Sequence, residues 1–283
     1  MRFPLGRKID LTYVSNRFAV TLCLISLAFF FSYGEITRIP VLLNLYLTFV
    51  KTIIIFITWA IGREIDPDEA GTANLSAVLM VIMLGLFPSS YPFLLASLFL
   101  LLGTRILLRA NGVKIAWPEF VAVMLFVLVT SLVYRFFLLE LLMAVVFYLD
   151  YRLTPKNKNS FVFAGIFVVL ALFVFLLINF KYKLSITLFD FIIVSVVVEV
   201  FLALTYLRRN LTATIDYATK KMEKSRLFAS RVWLLVCVFI AVIYLGRRGL
   251  VIDLAGVAVI IAFILNSVLI KYRKKFRSSK KTG

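Results

Sequence analysis

Apolar runs of about 16 to 24 residues recur from one end of the chain to the other, separated by short polar segments. Each run can cross roughly 30 Å of hydrocarbon as a helix. Ten runs fit, over 18–33, 40–62, 72–87, 91–108, 117–134, 136–149, 160–180, 184–207, 232–245 and 250–270. The pattern predicts an all-α, polytopic membrane helix bundle of about ten transmembrane helices in one domain (18–270). A basic amino-terminal segment (1–17) and a basic tail (271–283) flank it. The third and fourth runs are joined by PSSYP, so 72–108 fits two full spans or a re-entrant pair. The first run lies behind Arg2, Arg7, Lys8 and Arg17 and lacks a small-x-small cleavage site. It reads as a retained span.

Polar positions inside these runs are few and patterned. In the second run Asn44, Thr48, Lys51 and Thr58 fall within about 80° of one another on a helix. Such a stripe predicts a face turned into the bundle. Lys51 sits near mid-span, where a charge is costly and calls for a partner. The eighth run supplies two acids, Asp190 and Glu199, nine residues apart and so on opposite helix faces. Glu199 is the expected partner of Lys51 and Asp190 the second choice. Glu140 and Asp253 lie nearer the outer ends of their runs, within reach of interfacial water.

Composition agrees with the pattern: 63% of residues are hydrophobic and the mean hydropathy is +1.02, far outside the soluble globular range. Charge then gives an orientation. With the amino terminus inside, inner segments hold 25 of the 32 Lys and Arg, against six in outer loops and Lys51 in a span. That bias places both termini in the cytoplasm. The net charge of +18 is then mostly topology, and nucleic acid is not an expected partner. An inner membrane of a prokaryotic cell is the expected location.

Side-chain chemistry narrows the function. There is no histidine, which removes imidazole metal sites, haem ligation and serine–histidine catalysis. Cys23 and Cys237 both lie inside runs and form no ligand pattern. No cofactor is expected. The inner loop GREIDPDEAGTANLS carries Glu64, Asp66, Asp68 and Glu69. Asp66, Asp68 and Glu69 are weak candidates for holding Mg²⁺, as an enzyme of lipid or polyprenyl phosphates would need. Acids facing a helix dipole, with Thr72 or Asn74 as cap, are the commoner use of such a loop.

Residues 208–231 read as a basic amphipathic cytoplasmic helix. Leu211, Ile215, Ala218, Met222 and Ala229 form its apolar stripe, and Lys220, Lys221, Lys224 and Arg226 lie off it. Those cations suit anionic lipid headgroups or a cytosolic or membrane protein partner. Arg105 and Arg109, four residues apart, mark the inner end of the fourth run, where arginines reach for headgroups. The leading expectation is a transporter or permease-type protein with a polar path through the second and eighth runs. The alternatives are a non-catalytic subunit that assembles a complex through its basic helix and tail and, behind it, a Mg-dependent lipid-phosphate enzyme.

Overall fold

The computed structural model describes residues 10–87, 91–109, 112–154, 157–178, 187–208 and 222–279. They form helices only: α1 (Val14–Ile36), α2 (Val41–Ile65), α3 (Ala70–Leu86), α4 (Tyr91–Leu108), α5 (Trp117–Tyr134), α6 (Leu138–Leu153), α7 (Lys158–Ile178), α8 (Leu188–Leu207), α9 (Lys224–Leu245), the short α10 (Arg247–Ile252) and α11 (Leu254–Ser279). Six of these, in α1, α2, α5, α7, α9 and α11, are long and apolar enough to cross a membrane; α3, α4 and α8 contribute shorter apolar helices. The segment 72–108 supplies α3 and α4 as two separate helices. Their lengths and compositions are compatible with a membrane protein.

From α2 to α9 consecutive helices alternate in direction: Arg105 near the end of α4 meets Glu64 near the end of α2, and Arg109, Ser160 and Arg226 meet Asp150 near the end of α6. Thus α2, α4, α6 and α8 finish at the end of the bundle where α3, α5, α7 and α9 begin, called here the arginine end. α2 is central, packed against α1, α3, α4 and α11, while α9 packs on α4, α6, α8, α10 and α11. α8 touches α9 and α11 at the periphery. A second nucleus joins α5, α6 and α7: the rings of Phe120 and Phe163 stack at 3.9 Å, with Phe147 and Phe167 stacked beside them. These rings anchor one side of α6 and leave another side facing α9.

Helix ends follow local chemistry. At the start of α5, Pro118 occupies the first turn and the Glu119 carboxylate accepts the Ala116 N–H at 3.1 Å. α5 stops at Arg135, whose φ of 52° is left-handed, and Arg109 adopts the same region (φ 46°) just after α4. Few non-glycine residues do so, and Arg109 is held there by the ion pair described below.

Two boundaries differ from the sequence pattern. α9 begins at Lys224 rather than 232, because Arg226 and Arg231 find partners inside the bundle and need not remain in water. The last run is interrupted at Asp253, between α10 and α11.

Candidate functional site

Asn44, Thr48, Lys51 and Thr58 are all buried on α2, at 2%, 3%, 9% and 0% exposure. Their polar groups are engaged within the bundle. Asn44 Nδ2 donates to the Phe31 carbonyl at 3.0 Å and to Glu35 Oε1 at 2.9 Å, both on α1. A Cβ on Gly34 would stand 1.9 Å from Asn44 Oδ1, so a glycine lets the two helices close. Thr58 returns its hydroxyl to the Ile54 carbonyl at 2.8 Å. The stripe is a helix seam.

Lys51 does not meet Glu199. Its Nζ lies 4.5 Å from the centroid of the Phe30 ring, a cation–π contact, and no described carboxylate forms an ion pair with it. Glu199 is exposed on α8, which does not pack against α2. The Asp190 side chain lies outside the described residues. Glu140 and Asp253, expected at interfacial water, are instead buried at 0% and 5% exposure.

The charged chemistry gathers at the arginine end, in two clusters. In the first, Asp66 follows α2. Its Oδ2 lies 2.8 Å from Arg208 Nη1 and accepts the Thr72 hydroxyl at 2.5 Å; its Oδ1 is 3.7 Å from Arg231 Nη2. Arg231 also donates from Nε to the Ile65 carbonyl at 2.8 Å. Both guanidinium groups stand over the Phe263 ring, at 5.1 and 4.8 Å. Burial pushes the Asp66 carboxyl above its ordinary range, against the opposing pull of Arg208, Thr72 and Arg231. Thr72 therefore holds Asp66 rather than capping α3. Asp68 is exposed and Glu69 half-buried at the start of α3, with no side-chain cap bond. Among the described residues no three metal-ligating side chains come together, and Asp66 is already occupied by cations.

The second cluster centres on Asp150 of α6, 2% exposed. Arg226 Nη1 lies 3.0 Å from Asp150 Oδ1 and donates to the Leu107 carbonyl at 2.7 Å; its other terminal nitrogen bonds Thr154 Oγ1. Arg109 pairs with Asp150 Oδ2, which also accepts Ser160 Oγ at 2.6 Å and Asn157 Nδ2 at 3.3 Å. Nearby, Arg105 Nε lies 3.5 Å from Glu64 Oε1. Arg105, Arg109, Arg208, Arg226 and Arg231 thus face three buried carboxylates, those of Glu64, Asp66 and Asp150. Glu223, 3.4 Å from Arg226, is 43% exposed.

The inward turn of Arg226 corrects its expected place on a lipid-facing surface. The Asp150 and Glu223 carboxylates, a backbone carbonyl and a hydroxyl supply the solvation it loses. Lys224 stays exposed at the first turn of α9; Lys220 and Lys221, with 209–221, lie outside the described residues.

An apolar groove runs away from this second cluster. It encloses 440 Å³ between α6 and α9 and is lined by Leu138, Leu141, Leu142, Val145 and Leu149 on α6, and by Phe228, Ala229, Val232, Trp233, Val236 and Ile240 on α9. Arg226, Ala229, Trp233, Val236 and Ile240 follow one another at spacings of three and four, so a single face of α9 carries both the guanidinium and the groove wall. Trp233 leans across to α4, where Gly103 admits it: a Cβ there would be 2.4 Å from the indole. Charge on an otherwise apolar helical stripe was the signal in the sequence. It is legible on a wheel that starts at Lys224, whereas the pattern over 208–231 sets Arg226 off the apolar stripe.

Compared with protein-family models, curated proteins and solved structures, the chain matches none.

Proposed function

We propose that this is a membrane protein that binds an anionic amphiphile, its apolar chain lying between α6 and α9 and its anionic head at Arg226 and Arg109. One observation carries the reading: the α9 face that lines the groove ends in Arg226. The groove falls in the size range of small-molecule sites, about 300–1,000 Å³, and its walls are apolar as a hydrocarbon tail requires. Arg109 and Arg226 meet at Asp150, and guanidinium forks suit phosphate or carboxylate oxygens. The arginine end would be the cytoplasmic face, so the ligand would enter from the inner leaflet.

A solute path along α2 and α8 has weaker support, because the α2 stripe closes on α1 and α8 stands apart from it. If the protein moves its ligand, the groove is the better route. Chemistry on a lipid phosphate through Mg²⁺ is disfavoured by the occupation of Asp66.

The test is native mass spectrometry of the full chain released from micelles. Dodecyl phosphate should remain bound where dodecyl trimethylammonium does not, and Ala229→Phe, which fills the groove without touching an ion pair, should abolish the adduct. Equal retention of both amphiphiles, or an unchanged adduct in Ala229→Phe, would defeat the reading.

A further inference from the structure

α8 carries a charged side chain near its middle. On a rise of 1.5 Å per residue, Glu199 sits about 12 Å from one end of α8 and about 16 Å from the other. It is exposed, and no described residue pairs with it. It also does not stand alone. Ile192, Val196, Glu199, Ala203 and Tyr206 recur at spacings of four and three and are all exposed, forming a continuous stripe down one side of the helix. The opposite side of α8 is the one used in the bundle, through Val194, Phe201 and Thr205, which are 8%, 0% and 2% exposed.

A stripe at this spacing is the seam of a helix pair. Its central carboxylate is unsuited to hydrocarbon, where ionisable side chains turn toward protein or toward one another. We infer that this face of α8 docks a transmembrane helix of another protein that carries a lysine or arginine at the same depth. Charge complementarity selects that occupant over a second copy of this chain. Two copies joined through α8 would set Glu199 against Glu199, so that at most one of the two could ionise. Nor does the chain offer an exposed cation at that depth among the described residues, since Lys51 is 9% exposed against Phe30. Ala203, next to Glu199 on the stripe, is small enough to let a partner backbone approach. The proposal is independent of the α6–α9 groove, which lies on other helices.

The test uses the full chain in bilayer discs and an immobilised synthetic polyleucine helix with one central lysine. The lysine helix should retain at least about tenfold more protein than an all-leucine helix, the scale of an interhelical polar contact. Glu199→Leu should remove that difference. It replaces a lipid-facing side chain by an apolar one, so the variant should fold, and an unchanged unfolding midpoint verifies it. Equal retention on the two helices, or retention of Glu199→Leu at the wild-type level, overturns the proposal. So does self-association of the purified chain that Glu199→Leu abolishes, which would make the stripe an interface between copies.

Discussion

Arg226 Nη1 and Asp150 Oδ1 lie 3.0 Å apart, joining the first turn of α9 to the end of α6 where the groove between those helices closes. The pair fixes the distance between the two groove walls at one end, as the aromatic stack of Phe120, Phe147, Phe163 and Phe167 fixes α6 from behind. It also leaves Arg109 and Arg226 sharing one carboxylate.

Neutralising that carboxylate should therefore expose two buried cations to each other. Asp150→Asn is expected to lose about 3–5 kcal/mol, the cost of breaking a buried ion pair by removing one partner. Denaturant unfolding in detergent measures it. If the cluster also holds an anion, dodecyl phosphate should recover part of the loss, and dodecyl trimethylammonium none.

The Asp66 cluster predicts an asymmetry between its arginines. Arg231 is 3% exposed and also donates to the Ile65 carbonyl, while Arg208 is 19% exposed. Arg231→Met should destabilise the fold more than Arg208→Met, since it frees the Ile65 and Arg208 carbonyls as well as the longer of the two Asp66 pairings. Unfolding midpoints of the two variants, compared in one detergent, decide the order.

Lys51 makes the opposite prediction. With a ring beneath it and no carboxylate partner among the described residues, Lys51→Leu should stay within about 1 kcal/mol of wild type or exceed it, because the substitution removes a desolvated charge and keeps the packing volume. A thiol placed at position 51 should also resist charged reagents in intact membranes. Labelling from either side would restore an aqueous path along α2.

Gly103 sets how deeply Trp233 leans onto α4. Gly103→Ala places a methyl where the indole now is, at 2.4 Å, and overpacking of this kind costs about 1–3 kcal/mol. The indole must move toward the groove, so affinity for dodecyl phosphate should fall along with stability. Titration followed by tryptophan emission reports both.

Much of the architecture was legible in the sequence. The apolar runs match most helices of the described residues, and the polar stripe of α2 is buried. Its partner was not legible, because Gly34 and the Phe31 carbonyl, which receive Asn44, leave no charge pattern to read. Asp150 carries no such signal for a related reason. It looks like an interfacial acid until α9 brings Arg226, 76 residues later, against it. The break at Asp253 and the early start of α9 depend on tertiary burial of polar groups, which hydropathy along the chain cannot anticipate.

The central claim, an amphiphile between α6 and α9, is tested most directly through Trp233 itself. In a chain carrying Trp59→Phe and Trp117→Phe, Trp233 is the remaining one of three tryptophans. A dodecyl phosphate brominated on its chain should quench its emission saturably. The brominated trimethylammonium analogue should leave it bright, as should the phosphate added to the Ala229→Phe variant. Equal quenching by both amphiphiles, or quenching that survives Ala229→Phe, would mean that the chain meets Trp233 only as bulk lipid and that the groove is not a binding site.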